Sequence, residues 1–91
     1  MGSTQEIGDV MYTVAETEDV KRDQKVTLFR NGPIYTLSLS DTSNKKDYKH
    51  VRADMDQASA TRLYLKLVRA ILTGKYDWKV RAGWVKAAGE N

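Results

Sequence analysis

Ninety-one residues, 41% hydrophobic and 30% charged with a single proline, describe one small folded domain and exclude both a second core and pervasive disorder. Cysteine is absent, and no apolar run reaches the ~18 residues of a membrane span, so disulfide scaffolds, thiolate metal centres and transmembrane helices are excluded. The formal charge of +3 conceals a polarity along the chain: residues 1–24 carry six acids against two bases, whereas residues 25–91 carry thirteen bases against six acids.

A basic second half suits a polyanionic partner such as nucleic acid, with an ordinary solvated surface as the alternative. The start of the chain shows no charged-then-apolar leader, and a cytoplasmic protein is expected. Residues 1–91 are read as one α+β domain, with residues 1–8 and 87–91 flexible.

In chain order, the first predicted strand is Asp9–Glu16, where Val10, Tyr12 and Val14 alternate with Met11, Thr13 and Ala15. The charged stretch Glu16–Gln24 reads as a loop. Lys25–Asn31 and Ile34–Ser40 then form a hairpin around Asn31-Gly32-Pro33, where glycine permits a positive φ and proline tolerates the first position after the turn. Val26 and Leu28 share one side of that hairpin with Tyr35, Leu37 and Leu39. Lys25, Thr27 and Phe29 share the other with Thr36, Ser38 and Ser40. A polar loop, Asp41–Asp47, leads to a fourth strand, Tyr48–Met55. There Val51, Ala53 and Met55 oppose Tyr48, His50, Arg52 and Asp54. The sum is a four-stranded antiparallel meander with one apolar face that needs a cover.

Asp56–Gly74 supplies it as one long helix. Asp56 (or Ser59) is the N-cap, and Gly74 ends the helix in a left-handed conformation. At 100° per residue, Ala60, Leu63, Tyr64, Leu67, Val68 and Ile71 fall on a wide apolar arc that extends to Leu65 and Leu72. Arg62, Lys66, Arg69 and Thr73 form a narrow polar stripe. The arc is wider than one sheet can cover, so the helix is expected to be buried on two sides, by the C-terminal segment or by a second subunit; a homodimer is expected. In that segment Tyr76, Trp78 and Val80 alternate with Lys75, Asp77 and Lys79, which favours a fifth strand. The four-residue spacing of Tyr76, Val80 and Trp84 keeps a helix open as the alternative.

No motif points to catalysis or to a metal. His50 is the single histidine; Ser38, Ser40 and Asp54 are candidate neighbours across the sheet, but alternating hydroxyls are routine strand composition. Asp54-Met55-Asp56 reads more simply as a strand-end acid followed by a helix cap than as a cation site. No enzymatic activity and no cofactor are expected.

The side of the sheet away from the helix is the candidate site. Lys25, Phe29, Tyr48, His50 and Arg52, with Lys45, Lys46 and Lys49 beside them, combine rings for base stacking with cations for phosphate, the mixture that single-stranded nucleic-acid binders use. With one predicted helix, a helix-turn-helix reader of duplex DNA is disfavoured. A sheet followed by one long helix resembles, in topology only, small single-stranded DNA-binding transcription cofactors that dimerise. A nucleic-acid-binding regulatory domain is therefore expected. The alternative is a protein-interaction module, such as a small viral or mobile-element protein that docks on a host protein or on itself.

Overall fold

The computed structural model describes residues 11–74 and 77–89. In them four strands, β1 (Tyr12–Asp19), β2 (Gln24–Asn31), β3 (Ile34–Asp41) and β4 (Lys49–Met55), precede two helices, α1 (Gln57–Thr73) and α2 (Trp78–Gly89). The strands pair in chain order, each antiparallel to the one before. Both helices lie on one face of the sheet, giving an α+β fold of two layers. Among the described residues no helix is long and apolar enough to cross a membrane.

Local chemistry explains the meander. Gly32 takes a φ of 63° at the first position of the two-residue turn between β2 and β3, as a type II′ turn requires, and Pro33 supplies the negative φ of the second. Asp41 opens the β3–β4 loop by accepting the Ser43 amide at 2.9 Å and the Ser43 hydroxyl at 2.6 Å, a side-chain mimic of a backbone turn. Asp56 caps α1 through the Ser59 amide at 2.9 Å. Gly74, at φ 63° and ψ 24°, ends the helix while its N–H reaches the carbonyls of Ala70 and Ile71.

The core lies between the layers. Val26, Leu37 and Leu39 from the sheet meet Leu63, Leu67 and Ile71 of α1 and Val85 of α2, all buried. This follows the period-two alternation of β2–β4: in register, Val26 faces Leu39 and Leu39 faces Val51, so each row presents apolar groups to the helices.

Two elements differ from the sequence reading. The first is β1, which continues through Glu16–Asp19 where a loop was expected, leaving only the turn Val20–Asp23, closed by Asp23 at φ 54°. An irregularity between Thr13 and Ala15 puts one extra residue into β1 and reverses the alternation. Ala15 packs on the core and Thr17 bonds the Tyr64 hydroxyl at 2.8 Å, while Tyr12 and Val14 are exposed. A bulge leaves no period signature, and acids on a strand read as loop. Asp9 and Val10 lie outside the described residues.

The second is the C-terminal segment, which is a helix and not the fifth strand that the alternation favoured. Asp77 caps it, its carboxylate accepting the Val80 amide at 3.2 Å. One flank turns Trp84 to α1, where the Lys66 ammonium sits 4.1 Å from the ring centroid. The helix continues through residues 87–89, which the sequence reading gave to a flexible end, and it lies close on β4: a Cβ added at Gly89 would stand 2.7 Å from that of Ala53. Tyr76 and residues 1–8 lie outside the described residues. Thus α2 covers one flank of the wide arc of α1. The opposite flank stays open, with Leu65 and Leu72 exposed.

Arg81 is the least expected core residue. Its side chain is 0% exposed. It donates to Asp19 Oδ2 at 3.2 Å, to the Gln24 side-chain oxygen and to the Ala70 carbonyl at 3.1 Å. Gln24 passes the network on to Asp41 Oδ2 at 3.0 Å. Burial works against the Asp41 charge, yet the bonds from Ser43 and Gln24 and the nearby Lys49 charge hold its carboxyl below the usual range. Arg22 closes the same end by donating to the Gly74 carbonyl at 2.9 Å. One guanidinium thereby ties α2, the end of α1 and two strands together.

Candidate nucleic-acid interface

The outer face is organised in cross-strand rows. Glu18, Lys25, Ser40 and His50 form one row; Glu16, Thr27, Ser38 and Arg52 the next; Thr13, Phe29, Thr36 and Asp54 the third. Lys25, Phe29, His50 and Arg52 therefore share the uncovered face, as their strand parity predicts. Tyr48 precedes β4 by one residue and is 58% exposed. Its ring stacks on that of His50 with centroids 6.3 Å apart and planes within 9°. Lys45 and Lys46 lie in the adjoining loop and are exposed. Lys49 starts β4 opposite Asp41. Its parity is that of the helix side, but its place on the edge strand leaves it exposed.

The eight predicted residues do not form one site. Lys45, Lys46, Tyr48, Lys49, His50 and Arg52 gather along the β4 edge and its loop. Phe29 sits in the far row, about 20 Å from Tyr48 along the strand direction, counting three two-residue steps. It is half-buried. Beside it Thr36 is closed off by Asp54, whose carboxylate accepts its hydroxyl at 2.6 Å. Met11 reaches this end, its sulfur 3.7 Å from the Arg52 guanidinium. Lys25 is compromised differently: its ammonium lies 3.6 Å from Glu16, which also accepts a bond from Thr27 at 3.2 Å. Glu18 belongs to this face because β1 is longer than expected, and Glu16, the last residue of the expected strand, because the bulge reverses its side. They make the β1 side acidic, and sequence reasoning missed them for those reasons.

An open cleft of about 890 Å³ lies past Arg52, between Met11, Tyr12, Ile34, Thr36 and Asp54. The basic edge, the Tyr48–His50 stack, Arg52 and this cleft thus follow one another along β4.

Other chemistry is limited. Ser38 Oγ and His50 Nε2 are 2.8 Å apart, the geometry of a nucleophile and its base. No carboxylate among the described residues orients the imidazole, since Asp54 is engaged with Thr36 one row away. Ser38 lies in a strand paired on both sides, so the ladder takes up the backbone N–H groups that an oxyanion site would need. Asp54 and Asp56 have separate partners, Thr36 and Ser59, and the Ser59 hydrogen bonds hold the Asp56 carboxyl below its usual range. No cluster of His, Cys, Asp and Glu among the described residues is placed to hold a metal ion.

No protein-family model, no curated protein and no solved structure matches this chain.

Proposed function

We propose that this protein is a nucleic-acid-binding domain that takes a single strand along β4. The observation that carries the reading is the exposed, near-parallel Tyr48–His50 pair set among Lys45, Lys46, Lys49 and Arg52. A ring open to solvent stacks on a base for roughly 1–3 kcal/mol whatever the sequence, and the surrounding cations neutralise the backbone. The acids fix the direction. A strand crossing the sheet would meet Glu16 and Glu18 in β1, whereas one running along β4 stays on the basic side. The reading is for a regulatory or packaging role without catalysis, in the cytoplasm.

The test is binding of labelled single-stranded DNA, duplex DNA and RNA at two salt concentrations. Four cations on the strand give an expected log–log salt slope of about −3, with single strands preferred. Absence of binding at low micromolar protein in low salt would overturn the reading.

A second reading, a protein-interaction module, is supported by the uncovered flank of α1, where Leu72 is 76% exposed and lines one cleft with Val20, itself 77% exposed.

A further inference from the structure

Among the described residues both outer strands of the sheet have a free edge, β1 beyond β2 and β4 beyond β3. A row of unpaired backbone groups is a template for another strand. Natural proteins often protect such edges with charge, and here each edge carries charge of one dominant sign. On the outer face the regular part of β1 bears Glu16 and Glu18, and β4 bears His50 and Arg52, with Lys49 at its start and Asp54 at its far end. Pairing β1 with β1 of a second copy would oppose glutamates to glutamates. Pairing β4 with β4 in full overlap would oppose Arg52 to Arg52, with Asp54 already held by Thr36. Like charges directly opposite are destabilising, so both two-fold arrangements are disfavoured.

The remaining combination sets acidic against basic positions on the outer face. We propose that the protein self-assembles head to tail, with β4 of one copy pairing antiparallel to β1 of the next. In one register His50 faces Glu18 of the next copy and Arg52 faces Glu16, while Lys49 falls opposite Asp19, whose buried carboxylate is already held by Arg81. The same register sets Val51 opposite Thr17 and Ala53 opposite Ala15. Inner residues meet inner residues and outer meet outer, so the helices of successive copies lie on the same side. Strand direction alternates across the sheet, and β1 of the next copy continues that alternation beside β4. The ladder covers Ala15–Asp19 and stops where the β1 bulge begins, with Asp54 beyond it and held by Thr36.

The helix layer agrees. The Tyr64–Thr17 bond places one flank of α1 over β1, and Val68 and Leu72 follow on that flank at four-residue steps. Leu72 and Val20 border the cleft that also contains Glu18 and Asp19, so their exposed apolar surface lies beside the edge that the next copy would occupy. Because the two surfaces differ, the contact is heterologous and builds a ring or a filament, not a closed dimer.

The experiment is light scattering and sedimentation on the nuclease-treated full chain, with two charge-reversed variants. The wild type should rise beyond dimer mass with concentration and return to monomer in high salt. Glu16→Arg with Glu18→Arg, and separately His50→Glu with Arg52→Glu, should each be folded monomers. Mixed in equal amounts they should associate again, because each then offers the edge that the other lacks. A wild type that stays monomeric, a strict dimer, reversed variants that assemble unaided, or a mixture that stays dispersed would each overturn the proposal. Should a variant fail to fold, hydrogen exchange on the wild type decides. Concentration-dependent protection of both Ala15–Asp19 and Lys49–Ala53 supports it, and protection of one edge alone or of neither contradicts it.

Discussion

Two arginines, Arg81 and Arg52, show how differently one side chain is used on the two sides of this sheet. Arg81 is enclosed by Asp19, Gln24 and the Ala70 carbonyl at the junction of four elements. Arg52 stands on the open face, where its described side-chain bond is to the Met11 sulfur. The first guanidinium holds the architecture together, with its charge spent on internal partners. The second leaves its charge exposed to solvent. The contrast teaches that the basic excess of the second half is not one surface. Part of it is a structural clasp, part lies on the solvent side of α1, and part stands beside exposed rings along the β4 edge.

The largest way to break the comparison is to remove the clasp. Arg81→Ala leaves the buried Gln24 side-chain oxygen and the Ala70 carbonyl without this donor and leaves Asp19 with Arg22 alone, and should cost about 3–5 kcal/mol of stability in urea unfolding. A loss under about 1 kcal/mol would show that water takes the place of the guanidinium. Next comes the core beneath both faces. Leu37→Ala, at a fully buried position, should cost roughly 2–5 kcal/mol with little loss of cooperativity.

Acid should act through the same end of the molecule. The folded pKa of Asp41 lies below its ordinary value of 3.8. Its contribution is therefore present above that pH and is lost as the pH falls through the folded value. Thermal melts between pH 5 and pH 2 should show this decline, and Asp41→Asn should be less stable at pH 5 with a shallower acid slope.

The smallest effect on stability belongs to the open face: Arg52→Ala should change it by no more than about 0.5 kcal/mol. The same substitution should reduce the salt slope of oligonucleotide binding by about 0.7, one phosphate contact. Because β4 would serve both a nucleic-acid strand and the β1 edge of another copy, a short single-stranded oligonucleotide should also lower the mass of any self-assembled wild type.

Much of this architecture was legible. Alternation in β2, β3 and β4 placed Val26, Leu37, Leu39 and Val51 inward, because a half-buried strand has a period that only one register satisfies. Asp56 and Gly74 marked the ends of α1 through capping chemistry that is local to a few residues. The rest depended on distant partners. The acids of β1 read as loop because nothing near them in sequence announces that Asp19 meets Arg81, 62 residues later. Trp78–Val80 fitted two periods at once, and the choice between them was made by packing on β4 and by the Asp77 cap. For the site, strand parity found His50 and Arg52, but it gathered Phe29 with them because parity assigns a face and not a distance along it.

The central claim is that nucleic acid binds on the sheet side, along β4, and not on the basic stripe of α1. The most direct measurement compares single-strand affinity at fixed low salt for the wild type, for Tyr48→Ala with Arg52→Ala, and for Arg62→Ala with Arg69→Ala. All four positions are exposed, so the fold should survive each change. The account predicts a loss of roughly tenfold or more for the first pair, the value of one stacked base and one phosphate contact, and a change of less than about threefold for the second, set by loss of net charge alone. A greater loss from the helix pair, or equal small losses from both, would contradict it.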